Sequence, residues 1–192
     1  MLYLQAASHA LKQRKRQGLD SRWVICPTGG IDKVQSFASL FSGKGIHMVA
    51  LCDYGNGDKG KVQRLRESQI MKTSGVLVAT DFTGKAESDI EDFFAPAVFA
   101  DILNGAYGLK GKGQISARQF SQDGALTRQV KQAEALFNVM GASVPPLDHF
   151  TPANWLIQNQ HVLAAETTAI NETLERFEKA FAEINAALGA GA

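Results

Sequence analysis

Three short apolar runs alternating with stretches of helical periodicity constrain this chain most. Residues 23–26 (W-V-I-C) stop at Pro27 and the pair Gly29-Gly30, so they read as a strand followed by a turn. Residues 46–52 are apolar apart from His47, and 75–80 carry Val76, Leu77, Val78 and Ala79; both runs read as strands buried on two faces. Between them Ile31, Val34, Phe37, Ala38 and Phe41 recur at helical spacing, and 61–71 reads as a short, very polar helix. The order strand-helix-strand-helix-strand predicts an α/β fold, a mainly parallel sheet flanked by helices. An opening helix over 2–17 precedes it, ended by Gly18 behind the basic residues Lys12, Arg14, Lys15 and Arg16.

From Pro96 the pattern becomes wholly helical. Helices are expected over 97–107, 126–139, 152–159 and 166–188, interrupted by a glycine-rich stretch (Gly105, Gly108, Gly111, Gly113) and by Pro145-Pro146. The last helix carries a regular apolar stripe, Ile170, Leu174, Phe177, Phe181, Ile184 and Leu188, which predicts packing on the same domain. The expected organisation is a truncated α/β domain over 1–108 and a helical extension packed on it over 109–192.

Composition narrows the function classes. With 192 residues, 45% of them hydrophobic and 20% charged, the chain has the make-up of an ordinary globular domain. A net charge of +1 excludes a polycation, so nucleic-acid binding would rest on local basic clusters or on metal ions. No apolar run approaches the roughly 20 residues that span a bilayer, so no membrane partner is expected. Basic residues follow the first apolar ones, the reverse of a signal peptide, and Cys26 and Cys52 read as buried, reduced thiols; a cytoplasmic location fits both. His9, His47, His149 and His161 are scattered without zinc-like spacing and receive no role.

The chemistry lies in two acidic clusters. Asp53 directly follows a strand-like run, where an unpaired carboxylate is costly, so it belongs at the rim of a cleft with a partner. Asp89, Glu91 and Asp92 fall within four residues in S-D-I-E-D. Helix capping is one reading of that triplet. The other has Asp89 and Glu91 turned toward Asp53, sharing one or two divalent cations, Mg2+ or Mn2+, because hard cations take oxygen ligands. Ligands in open parallel sheets bind beyond the carboxyl ends of the strands, where the turn at 27–30, the Asp53 loop and the segment after Thr80 are expected to meet. Asp58 is a second acid in the same loop, more simply a turn residue. Lys131 and Lys85 are candidate cations for a phosphate; the basic run at Lys12 to Arg16 reads as a solvated helix end.

These residues together resemble the Toprim nuclease domain at the C-terminus of OLD-family (overcoming lysogenization defect) ATP-dependent endonucleases. The resemblance runs through C-P-T-G-G-I-D-K-V, V-A-L-C-D-Y-G-N-G, S-D-I-E-D-F-F, I-L-N-G-A-Y, H-F-T-P-A-N-W and L-E-R-F-E-K-A-F-A-E-I-N, nearly the whole chain. It implies a Toprim-like fold and Mg2+- or Mn2+-dependent cleavage of DNA with two ions in a complete site. Asp53 looks like the first acid of the family's D-x-D motif, whose second acid is replaced here by Gly55. Asp89 and Glu91 look like the later acidic metal pair, and Lys131 like the lysine that assists the transition state. The E-G-x-x-D strand that opens the Toprim pattern and the ATPase region are not found, and no Walker G-x-x-x-x-G-K-[ST] occurs. The resemblance therefore implies an endonuclease module, incomplete as an isolated chain, with DNA, an ATPase subunit or domain and a second copy as partners. The alternatives are a non-catalytic remnant that binds metal, DNA or a partner, and a response-regulator-like Mg2+-binding domain, disfavoured because no phosphoacceptor-loop lysine and Ser/Thr pattern accompanies Asp53.

Overall fold

The computed structural model describes residues 1–41, 45–71, 75–120 and 126–189. Its helices are α1 (Leu2–Gln13), α2 (Ile31–Ser39), α3 (Lys59–Glu67), the single turn α4 (Thr80–Thr83), α5 (Pro96–Tyr107), α6 (Gln129–Met140), α7 (Phe150–Gln158) and α8 (Thr168–Ala186). The described sheet has two parallel strands, β1 (Ala50–Cys52) and β2 (Val76–Val78), with Leu51 opposite Leu77. The chain is thus helix-rich with a small parallel sheet, an α/β arrangement.

The sheet separates two apolar clusters, and strand alternation explains how. Cys52, Val76 and Val78 belong to a cluster with Val34 and Ala38 of α2 and Val62 and Leu65 of α3. Val49 and Leu77 instead pack on the larger core built by α1 and α5 through α8. The stripe on α8 does what its spacing predicts: Leu174, Phe177 and Phe181 are fully buried in that larger core. Packing crosses residue 108, because α1 contacts both α7 and α8.

Sequence and structure differ at the edges of the sheet. Residues 23–26 pack Trp23 and Ile25 on the larger core but form no ladder, and of 46–52 only the last three residues are in strand. A strand exists only where a neighbour takes its hydrogen bonds, and apolar pattern alone cannot supply the neighbour. Cys26 is exposed, against the expectation of burial, while Cys52 is buried. The basic end of α1 is structural. Arg16 bonds Glu178 of α8 at 2.6 Å, and Arg14 donates to the carbonyls of Leu163 (2.9 Å) and Ala165 (2.7 Å).

Gly105 lies inside α5, where its missing side chain lets α7 approach: a β-carbon there would overlap the indole ring of Trp155. Gly105→Ala should therefore destabilise the fold by about 2–3 kcal/mol through overpacking, despite a helix-propensity gain of about 1 kcal/mol. Urea denaturation with unchanged m-value checks it.

Candidate active site

The carboxyl end of β1 leads directly into Asp53, and a short bridge fixes what it meets. Tyr54 and Ser88 exchange backbone hydrogen bonds, each 2.8 Å, as an isolated antiparallel pair. That pairing lays the Asp53 loop against the S-D-I-E-D turn. Asp53 Oδ1 then accepts the N–H of Ile90 at 3.0 Å.

The acidic turn is held from beneath. Ile90–Phe93 is a 3₁₀ turn, and the rings of Phe93 and Phe94 are fully buried, each against Phe177 of α8 (4.9 and 5.2 Å between centroids). Gln129 Nε2 donates to the carbonyls of Glu91 (3.0 Å) and Phe94 (2.8 Å), and Ala95 N–H donates to Thr173 Oγ1 (2.8 Å). Apolar anchoring on one side and side-chain bonds to the backbone on the other leave Asp89 and Glu91 on a rigid platform.

The three acids of the turn have different fates. Asp92 is fully buried and structural: its carboxylate accepts from Lys85 Nζ (2.6 Å), Asp89 N–H (2.8 Å) and Gln129 N–H (3.0 Å). Lys85 is therefore the counterion of a buried carboxylate, not a cation free to meet a phosphate. Asp89, buried at 5% exposure, accepts from Arg128 Nη1 at 2.9 Å. Glu91, equally buried, pairs with His149 Nδ1 at 3.4 Å.

The charges of Asp53, Asp89 and Glu91 act on one another. Burial, then the negative charge of Asp53, pushes the Asp89 carboxyl up to about 6. Asp53 reaches solvent on one side, yet surrounding protein atoms and then Glu91 raise its carboxyl as well. The His149 imidazole is shifted upward, chiefly by its hydrogen bond to Glu91.

Lys131 stands at the margin. Its ammonium is engaged by Glu134 at 2.8 and 2.9 Å, and the same carboxylate lies 3.9 Å from His149 Nε2. A line Glu91–His149–Glu134–Lys131 thus connects it to the acids. Asp58 does not join them: it accepts the Gly55 N–H at 3.0 Å and faces Lys61. Among the described residues no hydrogen bond or ion pair ties the turn at 27–30 to Asp53.

Arg128 and His149 are site residues that sequence reasoning passed over. Arg128 opens α6, bonds Asp89, lies 3.9 Å from Glu87, and packs 3.6 Å from where a side chain on Gly55 would begin. A signal existed: a cation at a helix N-terminus opposes the helix dipole, so its position needs a carboxylate elsewhere.

The donor set is carboxylate oxygen; burial first, and the neighbouring carboxylates second, raise the carboxyls of Asp53 and Asp89. Among the described residues no group of three or more His, Cys, Asp or Glu side chains is placed to hold a metal ion. No protein-family model, curated protein or solved structure matches this chain. Among the described residues no helix is long and apolar enough to cross a membrane.

Proposed function

We propose that this chain is a Toprim-like module of the OLD-family type, cleaving DNA phosphodiesters with Mg2+ or Mn2+, and working with an ATPase domain or subunit. One observation carries the reading. Asp53, at the carboxyl end of a parallel strand, meets the buried turn that bears Asp89 and Glu91. Asp53 with Asp89 or Glu91 would hold the ion, which when bound supplies an activated water and neutralises charge on the phosphate. Arg128 presents a planar fork suited to phosphate oxygens once it leaves Asp89. His149 can hold or pass a proton at Nδ1, where it faces Glu91. Lys131 must exchange Glu134 for phosphate before it neutralises charge.

A second reading, a metal- or DNA-binding remnant without catalysis, is favoured by the Arg128 contact, since a resident guanidinium already satisfies Asp89. Supercoiled-plasmid nicking separates the two. With Mn2+ or Mg2+ the chain should nick, and Asp53→Ala and Glu91→Ala should each lower the rate by about a hundredfold or more, with a smaller loss in Lys131→Ala. Calorimetric Mn2+ binding that depends on Asp53, without nicking, selects the remnant. Absence of nicking, of Mn2+ binding and of DNA binding together overturns both readings.

A further inference from the structure

The glycine-rich stretch after α5 lies outside the acidic site and carries charge of its own. Between Asp101 and Asp123 the chain has no acid and three cations, Lys110, Lys112 and Arg118. All three are exposed, and none makes an ion pair with a described residue. The loop is fastened at both ends. Leu109 and Ile115 are buried, and Asn104 of α5 brackets Ile115, accepting its N–H at 2.8 Å and donating to its carbonyl at 2.7 Å. Gly108 and Gly111 turn the chain at positive φ (63° and 57°), and residues 110–114 stand in solvent between the two anchors. A fixed, exposed run of cations with no acid in it attracts a phosphate backbone.

A short chain of contacts joins this loop to the acids. Tyr107, three residues before Lys110, accepts the N–H of Asp148 at 3.0 Å through its hydroxyl. The next residue is His149, whose Nδ1 faces Glu91 at 3.4 Å. Asp148 also caps the start of α7: its carboxylate accepts the N–H groups of Phe150 (2.9 Å) and Thr151 (2.7 Å) and the Thr151 hydroxyl (2.6 Å). Phe150 is thereby fixed beside His149, and it is 67% exposed. Of the eleven phenylalanines it alone is exposed, so burial in the core does not account for it. A flat apolar ring in water next to cations is a surface on which an unpaired base stacks, whereas the bases of a duplex already cover one another's faces.

We infer that Phe150 and the basic loop bind single-stranded DNA, one base stacking on Phe150 beside the acidic site and the phosphates beyond it running along Lys110 and Lys112. The inference deepens the proposed function and rests on it for the choice of DNA. At 3.3–3.6 Å per residue, Lys110 lies within about 11 Å of Tyr107 and Phe150 within about 7 Å of Asp148, so ring and cations belong to one surface. An apolar protein partner would meet the ring but leave the lysines without counter-charges.

The test is fluorescence anisotropy on the full chain in EDTA, with a labelled oligothymidylate of about 15 nucleotides and a duplex of the same length. The single strand should bind about tenfold more tightly than the duplex. Phe150→Ala, at an exposed position where the fold loses little, should weaken single-strand binding about tenfold and leave duplex binding unchanged, and Phe150→Trp should keep it. Lys110→Gln combined with Lys112→Gln should weaken both and lower the slope of log K against log salt by about 0.7 per lysine for the single strand. Circular dichroism checks that the variants fold. Because EDTA removes the metal, these titrations stand even where nicking and Mn2+ binding both fail, and nicking without a single-strand preference sinks this inference alone. Duplex bound as tightly as the single strand, no binding of either, or a folded Phe150→Ala that binds like the parent overturns it. Tighter binding of an RNA strand of the same length also overturns it, giving the surface to RNA.

Discussion

Asp92→Ala is expected to lower the stability of the chain by about 3–5 kcal/mol, the largest loss of any single change in the acidic turn. The side chain of Asp92 has no exposure and that of Lys85 only 12%, so removing the carboxylate strands an ammonium out of water. Two backbone N–H groups, of Asp89 and Gln129, lose their acceptor in the same step. Each adds the cost of an unsatisfied buried donor, about 1–3 kcal/mol. The turn that carries Asp89 and Glu91 would lose its fixed geometry along with α6, so any metal binding should fall too. Urea denaturation gives the number. A double-mutant cycle with Lys85→Met then tests the cause, because removing both charges should cost clearly less than removing the carboxylate alone. A loss under about 1 kcal/mol for Asp92→Ala would show that water reaches the pair and that the turn is held by its phenylalanines instead.

The contrast between Asp92 and its neighbours shows how much of the site could be read from residues. In S-D-I-E-D the sequence marks three acids but not which one is buried under Lys85; that depends on Phe93 and Phe94 entering the core and rotating the turn. Helices were legible because a 3.6-residue apolar stripe, as on α8, records burial within one segment. Strands were legible only as apolar runs. Residues 23–26 and 46–49 carry the pattern, yet a ladder needs a partner that lies elsewhere in the chain or beyond it. Asp53 was legible because an acid at the end of an apolar run must find company. The place of Arg128 at a helix start hints at a carboxylate partner, but Asp89 is 39 residues away and no local spacing says which acid it is. Lys131, a candidate cation from its place on the helix and again from the resemblance, sits one helical turn from Arg128 with its charge committed to Glu134.

Asp89→Asn should do the reverse of Asp92→Ala and stabilise the metal-free chain at neutral pH. The Asp89 carboxyl is raised from 3.8 to about 6, first by burial and then by Asp53, so the folded state holds the proton more tightly than the unfolded one. A group raised in this way adds stability below the unfolded value and loses it as pH climbs through about 6. By pH 7.5 the ionised carboxylate costs roughly 3 kcal/mol relative to the neutral form. The carboxamide is neutral at every pH and can still accept from Arg128, so it should recover much of that cost. Thermal unfolding in chelator should show Asp89→Asn melting above the parent at pH 7.5, with the two converging near pH 4. Mn2+ should then raise the melting temperature of the parent at pH 7.5, less so at pH 5, and scarcely at all in the variant, since a cation relieves the same repulsion that the substitution removes. A variant less stable than its parent at pH 7.5 would mean that the ion pair with Arg128 outweighs burial. The acid would then serve the fold, and metal binding would have to rest on Asp53 and Glu91.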